Sequence, residues 1–465
     1  MKVDNFFKNS FIVVCSNIIT SIINFIFSIV LTSRLKAEGL GLYGLIMSVY
    51  MFLQCLACDG IITSMSRVTS MYYIKKDYKN LHRTVQTMLG FILVWVLIML
   101  SIAFINSGNI AKFMIKDARA LTGLRVSCLA VVFISVSAVL KGFFYGIGKF
   151  HVTAFIDIFE KMLRVITLMT ITFFVTGKNT KTMVAIAYTA LVVGELTSCS
   201  ILLTAYSRFR RLMKPGNTRK EGRIQLIFNN LVVSVPLMAN GCLSTFLASV
   251  TTLVTPRRLV HTGMNYSSAL ELIAKFSGMS MNIVLFPIVI VNSISTVLIP
   301  ELAGSMKNND FWEVEKRIKQ VLKVSLLTAF VSLLICQCIP GKLGMIFYKR
   351  NDLETFIKVA SFSSFFCFLS SSSFGIMNSL GKQKLLLRNS IIVAVEELIL
   401  TYVLVGIKSV NIYGLVITVV VTSVTAFLLN LHEIKKYCTI RLSPKRLGII
   451  FIGGLILYGI IRQGI

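Results

Sequence analysis

Charge is scarce in this chain: Asp, Glu, Lys and Arg make up 14% of 465 residues, against a hydrophobic share of 55% and a mean hydropathy of +0.79. A soluble domain carries about 25% charged residues, so an ordinary water-soluble globular protein is excluded. Histidine is as rare, and the four that exist (His82, His151, His261, His432) sit at scattered joints. No P-loop, HExxH or GxSxG occurs, which leaves no motif for nucleotide-driven work, zinc hydrolysis or serine hydrolysis. The ten cysteines are scattered, and most, such as Cys15, Cys128, Cys199, Cys242 and Cys367, lie in apolar runs where a thiol behaves as a small hydrophobe. Cys55 and Cys58 have CxxC spacing, but without a second pair they read as core residues. No metal or cofactor is expected.

What the chain does have is long apolar runs. Crossing a hydrocarbon layer of about 30 Å takes roughly 20 residues, and such runs recur at 11–33, 40–71, 86–107, 120–146, 152–176, 182–206, 226–256, 268–303, 318–339, 354–380, 386–407, 411–431 and 446–462. The expectation is an all-α polytopic membrane protein with 13–14 spans, the two longest runs bending or protruding. The first run follows Lys2 and Lys8, exceeds a signal-peptide core and has no A-x-A site after it, so it reads as a retained helix.

The formal net charge of +29 is unevenly spread. With the N-terminus cytoplasmic, inner joints hold Lys75, Lys76, Lys79 and Arg83, then Arg208, Arg210, Arg211, Lys214, Arg219 and Lys220, and later Lys316, Arg317, Lys319, Lys382, Lys384, Arg388, Lys435 and Lys436. Outer joints are poorer. That alternation follows the positive-inside rule and suits anionic headgroups. Without aromatic interleaving or a recognition-helix pattern, nucleic acid is not a predicted partner.

A polar joint, 207–224, separates two similar halves: residues 1–206 as an N-terminal lobe and 225–434 as a C-terminal lobe, with 435–465 as a further helix. R-L-x-x-x-G occurs at Arg34–Gly39 and again at Arg258–Gly263, and a Gly-Lys joint follows the fourth helix of each half, at Gly148-Lys149 and Gly381-Lys382. Six spans per half put both lobes in the same orientation, which makes a parallel pseudo-twofold repeat with a natural cavity between lobes, as alternating access requires.

An ionisable side chain inside a span marks a candidate site. These are Asp59 and Arg67 in the second span, Lys141 in the fourth, Asp157, Glu160, Lys161 and Arg164 in the fifth, Glu195 in the sixth, Glu271 and Lys275 in the eighth, and Glu396 and Glu397 in the eleventh. Spacing predicts Asp59 and Arg67 on one face, and i, i+4 pairs Asp157/Lys161, Glu160/Arg164 and Glu271/Lys275. Such pairs also have a purely structural reading as mutual neutralisation, and Lys161 can snorkel to the interface. Arg34, Arg67, Arg257 and Arg258 have no adjacent acid, and arginine forks suit phosphate oxygens.

Leu253 to Leu259 (L-V-T-P-R-R-L) with Gly263, and Gly278-Met279 through Phe286-Pro287 to Pro300-Glu301, resemble motifs of the stage V sporulation protein B family. Gly39 to Tyr43, Ser66-Arg67, the Glu160 to Arg164 spacing and Gly194-Glu195 extend the resemblance over about residues 10–440. The resemblance implies the multidrug/oligosaccharidyl-lipid/polysaccharide exporter superfamily, beside lipid II and polysaccharide flippases, with two six-helix lobes. Many members add two C-terminal helices, and here the sequence ends at Ile465, about where a thirteenth span would finish.

The implied function is a flippase of the bacterial inner membrane that moves an undecaprenyl-pyrophosphate-linked sugar outward, such as lipid II or a spore-cortex precursor. In that reading Arg34, Arg67, Arg257 and Arg258 line the cavity, with Asp59, Glu160, Arg164, Glu195 and Lys275 as further contacts. Transport without a nucleotide site draws on an ion gradient, the membrane potential or the cargo's own gradient. A drug or small-cation exporter of the same superfamily would instead be governed by Asp59, Glu160 and Glu195. A membrane-embedded glycan enzyme would need a larger outer loop carrying acids, and a recruiting scaffold would tolerate loss of the arginines.

Overall fold

The computed structural model describes residues 3–175, 179–213, 221–292 and 311–436, and these are helices and short joints throughout. The C-terminal span at 446–462, the Pro300-Glu301 part of the motif, and Lys214, Arg219 and Lys220 of the linker lie outside the described residues. Two compact units divide the chain, Met1–Leu253 and Val254–Ile465, so the boundary falls within a single long helix.

The first unit begins with α1 (Val3–Cys58), which contains two passes: Lys36, at φ 59°, reverses the chain between them. The reversal is tied down by Arg119, which donates to Glu38 at 2.8 Å while also gripping Asp117. α2 (Ile61–Ile74) follows a break at Asp59-Gly60, where Gly60 takes φ 75°. The apolar run 40–71 is therefore an interrupted span, as its length suggested. Then come α3 (Tyr78–Ile105), α4 (Ala120–Gly146), α5 (Phe150–Phe174), α6 (Thr180–Leu212) and α7 (Arg223–His261).

Burial explains the order of packing. α4 is enclosed on nearly all sides, with Val131, Val139, Leu140, Phe143 and Phe144 fully buried against α2, α3 and α6. α3 is two-faced. Val85, Met88, Ile92 and Val96 point inward, while Val94, Leu97, Ile98, Ile102 and Ile105 present an apolar outer surface that only lipid can cover favourably.

The second unit holds the end of α7, then α8 (Tyr266–Ile273), which continues through a π-helical turn (Ala274–Ser280) into Met281–Leu285. α9 (Phe311–Cys338), the short α10 (Pro340–Tyr348), α11 (Glu354–Ser379), α12 (Gln383–Leu404) and α13 (Tyr413–Ile434) complete it. α11 is the central element, packed on α9 and α13. Its small residues allow this: Ser361, Ser363, Ser364, Ser372, Ser373 and Ser379 are buried and their hydroxyls donate to carbonyls three or four residues back. Close approach through small side chains is how helices associate in lipid.

Among the described residues, eight helical stretches are long and apolar enough to cross a membrane, the first of them (Val14–Ile74) comprising both passes of α1 and α2. α5 and α12 have the length but carry four charged residues each, as Asp157, Glu160, Lys161 and Arg164, and as Lys384, Arg388, Glu396 and Glu397. The protein is multi-pass in the membrane.

The internal repeat is visible in backbone detail. After α4, Gly148 at φ 74° donates to the Tyr145 carbonyl at 3.1 Å and Lys149 to Phe144 at 2.9 Å. After α11, Gly381 at φ 71° donates to Asn378 at 3.1 Å and Lys382 to Met377 at 3.1 Å. Both are the same glycine-terminated helix cap, bonded 5→2 and 6→1. Alanine at either glycine would hold a left-handed conformation at a cost of about 1–2 kcal/mol. Equal losses of apparent melting temperature in Gly148→Ala and Gly381→Ala are expected; a loss in only one would contradict the equivalence. The R-L-x-x-x-G matches agree in position but not in turn geometry, since reversal comes at Lys36 in the first unit and at Gly263 (φ 99°) in the second.

Candidate functional site

Six ionisable side chains from three helices converge inside the first unit: Lys141 on α4, Asp157, Glu160, Lys161 and Arg164 on α5, and Glu195 on α6. Glu160, Glu195 and Arg164 keep 2%, 3% and 8% of their surface. Lys141 reaches across to Asp157 at 2.6 Å, and Lys161 holds both oxygens of its neighbour Glu160 at 3.0 Å. Neither i, i+4 pair expected on α5 forms. Asp157 is taken by α4, and Arg164 lays its guanidinium over the Phe27 ring of α1, 5.2 Å from the centroid. Three cations and three acids sum to zero, which makes burial of the set tolerable.

Gly194 brings α6 against this cluster: a Cβ there would lie 3.4 Å from the Glu160 carbonyl and 3.5 Å from its Oε1. Above it Tyr43 and Tyr188 stack at 4.9 Å, and the Tyr188 hydroxyl donates to the Tyr43 carbonyl at 2.8 Å. Three buried atoms of the cluster keep no hydrogen-bond partner, Glu195 Oε2, Arg164 Nε and Asp157 Oδ1, the last of them ion-paired with Lys141. Lys141, Asp157, Lys161 and Phe27 are the cluster members that the predicted cavity lining did not contain; the four charges within about two turns of α5 were the signal that pointed to it.

Asp59 occupies a different place, at the break between α1 and α2. Its Oδ1 accepts from the Gly60 amide at 3.0 Å and its Oδ2 from the Cys55 thiol at 3.5 Å. It borders a cavity of about 190 Å³ whose other walls include Phe91, Trp95, Leu231, Ser234 and Met238. The break at Gly60 turns α2, and Arg67, exposed, makes no ion pair with Asp59 among the described residues. Cys55 and Cys58 are buried free thiols, as a core reading requires, with Cys55 Sγ 3.3 Å from Cys242 Sγ.

The remaining arginines differ in environment. Arg34 is exposed near the end of the first pass and has no ion-pair partner among the described residues. Arg258 is engaged within the second unit, its Nε donating to the Tyr402 carbonyl at 2.7 Å and its guanidinium 4.2 Å above the Tyr402 ring. Gly406 makes room for it, since a Cβ there would approach Arg258 Nε to 2.7 Å. Arg257 beside it is half-buried.

Lys275, on the π-helical turn, forms the expected pair with Glu271 at 2.8 Å and a second with Asp352 at 2.9 Å. Arg350 adds a fork to Asp352 at 2.7 and 2.8 Å. This fork holds the Asp352 carboxyl far below the ordinary carboxylate range, with Lys275 reinforcing it. A depressed folded value means its stabilisation is complete above the ordinary carboxylate range and is lost as pH falls through the depressed one. Arg350→Ala is therefore expected to lower the melting temperature at neutral pH and to leave a smaller further loss on acidification than the native protein shows. Parallel acid limbs in the two proteins would contradict it.

Two lobes of this construction, with an interrupted second span and charge inside the membrane, define a membrane transporter fold. The chain belongs to the polysaccharide biosynthesis protein family, whose profile matches residues 6–306. It is 23% identical over 458 residues to stage V sporulation protein B of Bacillus subtilis (strain 168), covering 97% of this chain and 88% of that one. Among solved structures it resembles the lipid II flippase MurJ in an inward closed conformation, with a TM-score of 0.72 at 14% identity over 98% of this chain and 92% of that one. It also resembles an inward-facing multidrug resistance MATE family transporter, with a TM-score of 0.68 at 15% identity over 90% and 95% of the two chains.

Proposed function

We propose that the protein is a flippase for a lipid-linked glycan precursor, carrying an undecaprenyl-pyrophosphate-linked sugar from the cytoplasmic to the outer leaflet of the bacterial inner membrane by alternating access. The cargo in this reading is a peptidoglycan precursor, and a sporulation role follows the likeness to stage V sporulation protein B. The observation that carries it is the charge balance of the first unit. Glu160 and Glu195 are already offset by Lys141, Lys161 and Arg164, whereas Arg34 and Arg67 stand exposed without acids. Such an excess of arginine favours pyrophosphate over an organic cation.

With the N-terminus cytoplasmic, Arg67 lies toward the inner side and Arg34, Arg257 and Arg258 toward the outer ends of their helices. Pyrophosphate then meets Arg67 early and Arg34 late in its passage. Direction requires the two conformations to bind cargo differently, and Arg258, held here by Tyr402, is the arginine withheld in this conformation. The polyprenyl tail remains in lipid throughout.

A second reading, export of a lipophilic cation, is favoured by Asp59 at its aromatic cavity. Thermal stabilisation of the purified protein separates the two. Undecaprenyl pyrophosphate is expected to raise the melting temperature where undecaprenol does not, and Arg34→Ala/Arg67→Ala is expected to erase that difference. Stabilisation by lipophilic cations, lost in Asp59→Asn, with none from pyrophosphate, would replace the flippase reading by the exporter.

A further inference from the structure

The interior charges of the first unit divide into two made pairs and two leftovers. Lys141 with Asp157 and Lys161 with Glu160 pair four groups of opposite charge, although Asp157 Oδ1 makes no hydrogen bond besides its ion pair. Glu195 and Arg164 remain, both at least nine-tenths buried, each with an atom that no hydrogen bond reaches. Arg164 is held against Phe27 and does not bond Glu195 in this conformation.

We infer that Glu195 is the residue on which the first unit takes up and releases a proton, with Arg164 as the cation that displaces it. This rests on the transport reading for its purpose but not for its chemistry. Ionised, Glu195 leaves a bare oxygen in a water-poor interior, which is costly; a proton removes that charge. Uptake converts the carboxylate to a carboxylic acid and takes the cluster from neutral to one net positive charge. If Arg164 swings from Phe27 to Glu195, the charge-assisted bond favours the carboxylate and expels the same proton.

The surroundings of Glu195 leave it as the variable member. α4 contributes Lys141, already bound to Asp157. From α5 come Asp157, Glu160, Lys161 and Arg164, the first three in made pairs. α1 offers Tyr50 and Cys58, and α6 itself Cys199, within electrostatic reach. Gly194 packs the α6 backbone against Glu160 and Glu195 keeps only 3% of its surface, so proton exchange is eased when the helices part. Proton exchange is thereby tied to conformational change. With cargo moving outward, the proton enters from the outer side and leaves on the inner.

Infrared titration of the full chain in lipid nanodiscs tests the assignment without any cargo. A protonated-carboxyl band that rises and falls with pH is expected in the native protein and in Glu160→Gln, and its loss is expected in Glu195→Gln. Absence of the band from the native protein, its persistence in Glu195→Gln, or its loss in Glu160→Gln instead would overturn the assignment.

A second measurement uses proteoliposomes with fluorescent lipid II. An imposed pH gradient, acid outside, is expected to speed translocation by the native protein several-fold and to have no effect on Glu195→Gln. Native translocation indifferent to the gradient would overturn proton coupling and leave the flippase reading standing. A native band that behaves as expected without any lipid translocation would retain the proton site and remove the flippase reading.

Discussion

Lys141→Met is expected to lower stability by about 3–5 kcal/mol, the usual result of removing one partner from a buried ion pair. The reason is local. Lys141 approaches Asp157 at 2.6 Å and also offsets Glu195 and Glu160, so the substitution leaves three acids facing two cations inside the first unit. Replacing both partners by apolar residues, Lys141→Met/Asp157→Leu, restores neutrality and is expected to recover most of the loss. Cys58, Cys128 and Cys199 are buried free thiols, so a thiol-reactive dye reports unfolding as the protein is heated. A double variant as unstable as the single would contradict charge balance as the organising feature of the cluster.

Gly60→Leu is expected to have an effect of comparable size through the backbone. At φ 75° a side chain is strained by about 1–2 kcal/mol. An added Cβ would also lie 2.7 Å from the Ser234 carbonyl and 2.8 Å from the Leu237 Cβ on α7, and overpacking of this kind costs about 1–3 kcal/mol more. Because the break aims α2, transport should fall together with the melting temperature. Gly44→Ala is the matched control. That glycine lies within α1 with no atom near its missing Cβ, and alanine there should gain up to about 1 kcal/mol. If both substitutions behaved alike, the break would have no special role.

Composition and periodicity were enough to read the class of fold, because an apolar run of span length has few other uses. The duplication was legible in Gly148-Lys149 and Gly381-Lys382, whose caps match bond for bond, although the cap is not peculiar to glycine, since Lys76 makes it at the end of α2. Local spacing failed where a distant partner competed. Asp157 and Lys161 are well placed on α5, yet Lys141 from α4 takes the acid, and Lys161 bonds the adjacent Glu160.

Arg258 illustrates the same limit, for its partner Tyr402 is 144 residues away and nothing near Arg258 announces it. The Asp59-Gly60 break was partly concealed, because a turn dipeptide inside a long apolar run reads first as an uninterrupted span. The π-helical turn that carries Lys275 has no sequence mark at all; its pair with Glu271 follows from i, i+4 spacing, but the second, with Asp352, shows only once the joint before α11 is placed beside it.

In the proposed function, exposed arginines of the membrane helices compensate the pyrophosphate of a lipid-linked glycan. Complementation tests it most directly, in bacteria depleted of their own lipid II flippase and supplied with the native chain or with Arg34→Ala/Arg67→Ala at equal membrane levels. Rescue by the native chain and failure of the double variant is the predicted result. Rescue by both, or by neither, would contradict it.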